Sequence, residues 1–590
     1  MPSRTDALQV QDAASRPQGI ASYRDLPAFG LLQHAAEQLP ERTALIYGAE
    51  HWTFRDLNAD TVRCAAMLQR LGVRPGDRVG LLLPNVPEYI IAANAIWRAG
   101  GIVLAISPLM VAGEVRALLD KTKCRHVICL DLLSNLLPDS LDSAAPNESK
   151  GRTTLLVSIR KHLPAHEQLG YLLKRGYQWL RHRPVDRSNR VGWFWEEIAT
   201  IDRAWQPITI DPASDPAYIL PTGGTTGSPK AVTLSHQNMV ANAWQQYEWT
   251  ERSFGKETML GVLPFFHSYG MSATVMGGAA MAATLVLHHR FNTKKTIQLI
   301  ESHRPSVFHA VPAMLVAMNA RLSEHRSEKL DSLRWIISGG APLEEAVARE
   351  FTEHCMYGHD SGDAVGPQVV EGFGLSEASP VTHVGHLFKK PIYGRIGLPL
   401  PQTECRIVDV NPENNDEVVD LPDNQIGELC VRGPQVMLGY WGDPAATRDA
   451  IRDGWLHTGD LAIRHPDGWY SIVGRIKDLI ITSGYNVYPS EVELVLSGAD
   501  GVKDVAVVAM PDRLRGESVH AFIVTDDGNP PDIAALESYS RTHLSAHKRP
   551  RGYTHCKSDL PRNFLGKVVR RKLRETLADG NSTPKGENNE

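Results

Sequence analysis

The sequence predicts an α/β protein with a large N-terminal domain and a small α+β domain at its C-terminal end. Its 590 residues exceed the size that one hydrophobic core can organise, so at least two domains are expected. From about residue 21, helical stretches alternate with short apolar segments such as 78–83, 127–130 and 154–157. This alternation is typical of mixed layers of helices and sheet.

The pattern changes near Gly474, where a shorter segment rich in strand residues begins. A helix is predicted from about Ser490, and apolar strands, a helix over 533–544 and a basic terminal helix follow. The expected division is a disordered tail over 1–20, an N-terminal domain over 21–476, a C-terminal domain over 477–577 and a disordered tail over 578–590.

Charge and cysteine content exclude several classes of protein. Lysine and arginine number 62 against 67 aspartates and glutamates, a formal net charge of −5 that gives no reason to propose nucleic acid as a partner. The seven cysteines form no CxxC pair, which argues against a zinc site or a disulfide framework. The first residues lack a signal-peptide core, and the apolar run 275–287 is too short to span a bilayer. A cytoplasmic enzyme is expected.

The segment 160–195 is basic and carries leucines at helical spacing, with aromatic residues close by. Two interpretations stay open. A basic amphipathic helix with aromatics can rest on an anionic membrane surface, which would give peripheral membrane contact. An ordinary surface helix packed on the main domain has the same periodicity, and it is the favoured interpretation.

A glycine- and hydroxyl-rich loop that ends in a lysine occupies residues 221–230, with the sequence PTGGTTGSPK. Apolar stretches precede and follow it, so a strand–loop–strand element is predicted. Glycines let backbone N–H groups approach an anion, while hydroxyls and the lysine add donors and charge, which suits a nucleotide triphosphate. It is not a Walker A loop, because Pro229 precedes the lysine. The predicted phosphate-binding residues are Thr222, Gly223, Gly224, Thr225, Thr226, Gly227 and Lys230.

This loop resembles the signature of the adenylate-forming (AMP-binding) superfamily, and further motifs follow in that family's order. They are SGGAPL at 338–343, EGFGLSE at 371–377, GWLHTGD at 454–460, GRIKD at 474–478 and LPRNFLGK at 560–567. As a set, they resemble those of bacterial long-chain fatty acyl-CoA synthetases, and the resemblance covers nearly the whole chain. It implies a multi-layer adenylation domain with mixed sheets and a small β-barrel-like subdomain, followed by a small mobile α+β lid.

The resemblance also implies a two-step reaction that uses ATP, Mg²⁺ and CoA. A carboxylate, expected to belong to a medium- or long-chain fatty acid, attacks the α-phosphate of ATP and releases pyrophosphate. The CoA thiol then attacks the resulting acyl-adenylate and expels AMP. Substitution at phosphorus of this kind depends on positioned cations and hydrogen-bond donors.

The nucleotide site is assigned by this resemblance. Phe373 would stack on one face of adenine, and Asp460 would accept hydrogen bonds from the ribose hydroxyls. Arg475 would reach the ribose or a phosphate, and Ser376 the α-phosphate. The other positions carried over are Gly340, Ala341, Pro342, Glu371, Gly372, Gly374 and Ile472.

The catalytic assignments follow the same resemblance. Glu377 is the expected Mg²⁺ ligand, with Thr225, because a hard carboxylate oxygen suits that ion. Lys567 would bridge the substrate carboxylate and the α-phosphate and stabilise the developing charge. The expected catalytic set is Lys567, Glu377, Ser376, Lys230, Thr226 and His267.

The remaining assignments concern CoA and the acyl group. Lys477 stands at the family's hinge, about which the lid would rotate between the two half-reactions. After rotation the loop 483–489 would face the active site, with Ser483, Gly484 and Tyr485 next to CoA. Small and apolar residues that leave room for an acyl chain are expected in the substrate pocket. These are His267, Gly270, Val311, Pro312 and Gly339.

Several alternatives stay open. The acid could be an aryl or other unusual acid, the acceptor could be an acyl carrier protein, or the protein could be a luciferase-type oxygenase. The loop 483–489 favours CoA over a carrier protein. A non-catalytic member of the fold is disfavoured, because Lys567, Glu377 and Asp460 are all present. The sequence does not decide between a monomer and a homodimer.

Overall fold

Two large sheets form the greater part of the protein. The computed structural model describes residues 18–138, 152–163, 165–181, 190–222, 230–325, 328–356, 367–410, 418–563 and 566–578. The first sheet has nine strands, in the spatial order Leu398–Pro399, Val381–Val384, Gln368–Gly374, Trp335–Ser338, Val307–Ala310, Thr258–Gly261, Thr284–Leu287, Thr43–Tyr47 and Glu50–Thr53. Its central strands are parallel and its edges antiparallel.

The second sheet has eight strands, antiparallel at one edge and parallel through the rest. Their order is Gly439–Tyr440, Lys230–Ser235, Pro216–Thr222, Ile102–Ala105, Arg78–Leu82, His126–Leu130, Thr153–Val157 and Arg190–Trp193. Pro216–Thr222 and Lys230–Ser235 pair antiparallel, with Thr222 opposite Lys230. The strands before and after the phosphate loop therefore pair with each other, as predicted, while residues 223–229 lie outside the described residues.

The main hydrophobic core lies between these two sheets. The helix Pro87–Arg98 is buried along its whole length, and its apolar residues share one cluster with residues of both sheets. A largely apolar helix belongs in such a position, because neither face meets water, and its three polar residues, Glu88, Asn94 and Arg98, are buried with it. The α-helices of the N-terminal part are Gly30–Gln38, Phe54–Arg70, Pro87–Arg98, Ala112–Thr122, Ala165–Arg181, Phe194–Ala199, His236–Trp249, Gly277–Ala280, Thr293–His303, Pro312–Glu324, Glu345–Met356 and Pro444–Ala450.

Two smaller sheets follow. The third sheet is wholly antiparallel and consists of Glu404–Val408, Ile426–Arg432, Trp455–Arg464, Ile451–Arg452 and Tyr470–Arg475. The fourth consists of Tyr485–Val487, Ile480–Thr482, Gly516–Thr525, Val502–Asp512 and Gly552–His555. The helices Pro489–Leu496, Ile533–His543 and Arg570–Ala578 accompany this fourth sheet.

The predicted α/β class, with a large N-terminal part and a small C-terminal α+β unit, is confirmed. The third sheet ends at Arg475 and the fourth begins at Ile480, so the boundary predicted at 477 falls between two sheets. Most of the two predicted tails, residues 1–17 and 579–590, lies outside the described residues. Within the described part of the chain, no helix is long and apolar enough to cross a membrane.

Candidate active site

A cavity of about 840 Å³ lies where the ends of the two large sheets meet the C-terminal unit. Its wall contains residues from the phosphate-loop hairpin, from the adenine motifs and from the last motif of the chain. A pocket of this size is typical of a small-molecule site. The predicted site residues in its wall are Thr222, Lys230, His267, Gly339, Gly340, Gly372, Phe373, Gly374, Ser376, Glu377, Arg475, Lys477 and Lys567.

Other predicted residues lie elsewhere. Five of the phosphate-loop positions fall outside the described residues, namely Gly223, Gly224, Thr225, Thr226 and Gly227. Among the described predicted residues, those that do not line the cavity are Gly270, Val311, Pro312, Ala341, Pro342, Glu371, Asp460, Ile472, Ser483, Gly484 and Tyr485.

Gly270 owes its small size to backbone packing. A Cβ at this position would lie 2.2 Å from the backbone carbonyl oxygen of Pro264. Because the clash is with backbone, no side-chain movement could relieve it. Gly278 differs, because its Cβ would meet the end of the Leu285 side chain at 2.7 Å, and that side chain can move. Gly270 therefore allows close packing of backbone, and it does not line the cavity.

At the end of the cavity predicted to hold the phosphates, Tyr440 contacts both Glu377 and Lys230, and Ser376 contacts Ser268. The hydroxyl of Tyr440 donates a hydrogen bond to Oε1 of Glu377 at 2.9 Å, and Nζ of Lys230 lies 4.7 Å from the centroid of the Tyr440 ring. The hydroxyls of Ser376 and Ser268 are 3.2 Å apart. Burial, and then the Glu377 carboxylate, raise the pKa of Tyr440, so its phenol stays a donor at neutral pH. Sequence reasoning missed Tyr440, because no motif contains it.

Glu377 is a suitable ligand for Mg²⁺. One carboxylate oxygen is held by Tyr440. Among the described residues, its other oxygen has no hydrogen-bond donor, although the side chain lines the cavity. A fixed hard oxygen that faces the phosphate end fits the preference of Mg²⁺ for one or two carboxylates plus substrate phosphates.

At the adenine end, two glycines let backbone segments approach each other. A Cβ on Gly339 would lie 3.1 Å from the carbonyl oxygen of Gly372, and Gly340 has a φ of +83°. Phe373 lies in the cavity wall and packs edge-on against His383, with ring centroids 6.0 Å apart. The contact with His383 therefore holds the Phe373 ring in place on the side away from the cavity.

Glu371 lies behind this turn. Its Oε1 accepts a hydrogen bond from the Gly394 backbone N–H at 3.0 Å, and its Oε2 accepts one from the Leu343 N–H at 3.5 Å. Burial raises the pKa of Glu371 to about 7. The carboxyl group thus joins the end of the adenine turn to a neighbouring loop, a supporting position outside the cavity wall.

The two residues predicted to bind the ribose form an ion pair in which Asp460 is buried and Arg475 is partly exposed. Asp460 and Arg475 are paired residues on adjacent strands, and Oδ1 of Asp460 lies 2.9 Å from Nε of Arg475. Burial raises the pKa of Asp460 against the opposing effect of Arg475, Lys567 and Lys477. Glu428 holds the preceding turn, because it accepts the Gly459 N–H at 2.9 Å. Sequence reasoning missed Glu428, which lies on a different strand from the motif that it supports.

Lys567 brings the C-terminal unit to the same cavity. Its backbone N–H donates to Oδ1 of Asn563 at 3.0 Å, while its side chain lines the cavity. Burial, and then the cation of Arg475, lower the pKa of Lys567 to about 8. A buried ammonium in one cavity with Ser376 and Glu377 can stabilise negative charge that develops between a carboxylate and a phosphate.

The residues expected next to CoA lie away from the cavity. Ser483 and Gly484, with φ angles of +53° and +82°, form the turn between Ile480–Thr482 and Tyr485–Val487. Tyr485 is 58% exposed and stacks on His547 with ring centroids 4.9 Å apart. The expectation that this turn reaches the active site after a rotation stays a prediction.

The opposite end of the cavity is mainly apolar. His267 stands at the junction, and burial lowers its pKa to about 4, so the ring is neutral at pH 7. Beyond it, the wall is formed by residues that the motifs did not include. These are Gln246, Trp249, Thr250, Met259, Met281, Val307, Trp335, Ile337, Val384 and Leu387; the wall also contains His309, the first residue of the segment HAVPAML (309–315) that was expected to contribute to the acyl pocket. Trp335 and Ile337 are alternate residues of the strand that leads into the SGGAPL motif, so both point to the same face of the sheet. This alternation in the sequence is the signal that could have identified them.

Comparison with known proteins agrees with this geometry. The chain matches the family described as AMP-binding enzyme over residues 32–441 and the AMP-binding enzyme C-terminal domain over 491–567. It is similar to a long-chain-fatty-acid–CoA ligase of Bacillus subtilis (strain 168), with 34% identity over 92% of this chain and 93% of the relative. It is also similar to a feruloyl-CoA synthase of an Amycolatopsis species, with 30% identity over 91% of this chain and 96% of the relative.

A solved structure shares the fold over nearly the full length. ATP-bound MatB from Rhodopseudomonas palustris superposes with a TM-score of 0.75 and 25% identity, and the match covers 94% of this chain and 99% of that chain. The cavity, the order of the motifs and the family match lead to one assignment. The chain belongs to the AMP-binding enzyme family.

Proposed function

We propose that the protein joins a long-chain fatty acid to CoA through an acyl-adenylate, with ATP and Mg²⁺ as the other requirements. The observation that carries the proposal is the composition of one cavity. Its polar end contains Lys230, Ser376, Glu377 and Lys567, and it continues into an arm lined by methionine, tryptophan, valine, isoleucine and leucine. A carboxylate head group and an alkyl chain match these two ends.

In the proposed first step, Lys567 holds the carboxylate next to the α-phosphate. Lys230 and the hydroxyl of Ser376 bind phosphate oxygens, and Glu377 would hold Mg²⁺, which supplies charge neutralisation on the phosphates when bound. Because His267 is neutral, it can line the carboxylate site without competing for the negative charge. The second step would bring CoA to the same carbonyl carbon after the C-terminal unit has rotated.

The test is a mass-spectrometric assay with ATP, Mg²⁺ and a panel of saturated fatty acids and aryl acids, run with and without CoA. We expect acyl-CoA, AMP and pyrophosphate, with long-chain fatty acids as the best substrates. Acyl-AMP that accumulates in the presence of CoA would instead indicate a carrier-protein acceptor. A preference for aryl acids would contradict the proposed substrate class.

We further propose that the helix Ala165–Arg181 attaches the protein to an anionic bilayer. Its Leu169, Leu172 and Leu173 are 64%, 38% and 67% exposed, at the i, i+3, i+4 spacing of one helix face. The other face is anchored, because the buried hydroxyl of Tyr171 donates to Oδ1 of Asp131. Exposed leucines beside an exposed Lys174 suit an anionic lipid surface better than water.

This contact predicts the behaviour of a triple variant in a vesicle sedimentation assay. Replacement of Leu169, Leu172 and Leu173 by serine should lower the fraction bound to vesicles with phosphatidylglycerol by at least about tenfold, since even one buried leucine contributes about 1.5–3 kcal/mol. Leu514→Ser removes a leucine that is 91% exposed elsewhere and serves as the matched control. Equal binding of the triple variant and the control would refute the contact.

A further inference from the structure

His309 is a buried histidine with unused hydrogen-bonding capacity. It lies on the strand Val307–Ala310, the residue lines the cavity, and it is 6% exposed. Both ring nitrogens are enclosed, so a turn of the ring is needed to bring one of them to the cavity surface. Neither Nδ1 nor Nε2 has a hydrogen-bond partner among the residues that the structure describes. The ring packs edge-on against Tyr269, with centroids 5.8 Å apart. Buried side-chain nitrogens are usually paired, so this ring calls for an explanation.

The sheet residues around His309 offer few hydrogen-bond partners for its ring nitrogens. Strand pairing places Met259, Val307 and Trp335 in one row across the nine-stranded sheet, and His309 beside Ile337 in the next row. The residues of this sheet face that line the cavity are otherwise hydrocarbon, aromatic or glycine, namely Met259, Val307, Trp335, Ile337, Gly339 and Gly372. His309 therefore brings an imidazole to a wall that would otherwise suit a plain alkyl chain.

The chemistry of the ring restricts the partner. Burial lowers the pKa of His309 to about 4, so at pH 7 the neutral imidazole has one N–H donor and one acceptor nitrogen. Each buried polar group that is left unpaired costs about 1–3 kcal/mol. A methylene chain can satisfy neither nitrogen. A hydroxyl group can donate to one nitrogen or accept from the other.

The position of His309 restricts where the oxygen would lie on the acid. Its neighbour Tyr269 follows Ser268, whose hydroxyl contacts Ser376, and Ile337 precedes the Gly339 turn by two residues. The row of Met259 and Trp335 lies farther from the nucleotide end. For an acid whose carboxyl group is bound next to Ser376, His309 would thus lie near the start of the acyl chain.

We propose that His309 recognises a hydroxyl oxygen on the acyl chain near its carboxyl end, so that the preferred substrates are hydroxylated fatty acids. This inference rests on the proposed function and refines its substrate class. A site that holds buried polar groups for a substrate hydroxyl discriminates against the analogue that lacks it, because the analogue leaves those groups unpaired.

The experiment compares kcat/KM for acyl-CoA formation with hexadecanoic acid and its 3-, 5-, 7- and 16-hydroxy derivatives. For the wild-type enzyme, at least one of the 3-, 5- and 7-hydroxy acids should exceed the parent acid by about tenfold, and the 16-hydroxy acid should not. In His309→Leu the new side chain is apolar, so the ratio of kcat/KM for that hydroxy acid to kcat/KM for hexadecanoic acid should fall to about one. His309→Gln keeps a donor and an acceptor and should retain part of the preference.

Val307→Ala is the matched control, because it alters the same strand face without removing a polar group, and its ratio should stay close to the wild-type value. A wild-type ratio near one for all the hydroxy acids would overturn the proposal, and so would an unchanged ratio in His309→Leu. If His309→Leu does not fold, the wild-type ratios and His309→Gln decide. Formation of hexadecanoyl-CoA itself tests the proposed function separately, since it can succeed while every ratio stays near one.

Discussion

Pyrophosphate release by a Lys567→Ala variant is expected to fall by about 100- to 1,000-fold, the usual cost of removing a group that stabilises transition-state charge. The ammonium of Lys567 lies in the cavity that contains Ser376 and Glu377. Arg570 and Arg571, which follow it in the chain, also line this cavity, and Lys567→Ala leaves both in place. The same variant should still convert added acyl-adenylate to acyl-CoA, because that step needs no new bond at phosphorus. Pyrophosphate release and thioester formation are measured separately.

The pH dependence of adenylation provides an independent check on Lys567. Burial, and then Arg475, lower its pKa to about 8, and the protonated form is the one that stabilises negative charge. The wild-type kcat/KM for pyrophosphate release should therefore decline as the pH rises through about 8, since kcat/KM reports groups of the free enzyme. In Lys567→Arg this decline should disappear, because a guanidinium stays protonated.

The control for Lys567→Ala is Lys557→Ala, which removes an exposed lysine of the same C-terminal unit that does not line the cavity. Its pyrophosphate release should equal that of the wild type. Normal pyrophosphate release by Lys567→Ala, with an unchanged pH profile, would remove Lys567 from the adenylation step.

The sequence predicted the polar end of the cavity better than the apolar end. Phe373, Ser376 and Glu377 belong to one continuous motif at the end of one strand, so local sequence places them together. Tyr440 bonds to Glu377 from 63 residues away, and only the pairing of Gly439–Tyr440 with the strand after the phosphate loop brings it there. Such a contact depends on sheet order, which no local pattern encodes.

In the fold, too, features set by local sequence were predictable and features set by three-dimensional packing were not. Apolar runs at 78–83, 127–130 and 154–157 were predicted as strands and are strands, because a parallel sheet covered on both faces needs continuous apolar sequence. Gly270 was expected to leave room for an acyl chain, but a glycine beside an acyl chain and a glycine beside a carbonyl oxygen look alike in sequence. The contact with Pro264 distinguishes them only in three dimensions.

The second large effect is expected at Glu377. Replacement of Glu377 by glutamine should raise the Mg²⁺ concentration for half-maximal pyrophosphate release by about 10- to 100-fold or more, because even partners of metal ligands have effects of that size. Glutamine keeps the shape of the side chain and an acceptor for the Tyr440 hydroxyl, but it loses the negative charge that attracts the cation. The measurement is the initial rate as a function of Mg²⁺ at a fixed ATP concentration.

Tyr440→Phe separates the role of the Glu377 carboxylate as a ligand from the effect of the hydrogen bond that orients it. It removes the 2.9 Å hydrogen bond to Glu377 and leaves the carboxylate in place, so its Mg²⁺ curve should shift by about 10-fold, the lower end of the range for partners of metal ligands and less than that of Glu377→Gln. If Glu377→Gln and the wild type gave superimposable Mg²⁺ curves, the carboxylate would not be a ligand. If Tyr440→Phe matched Glu377→Gln, the orientation of the carboxylate by the Tyr440 hydroxyl would matter as much as its charge, because a ligand held loosely binds Mg²⁺ weakly.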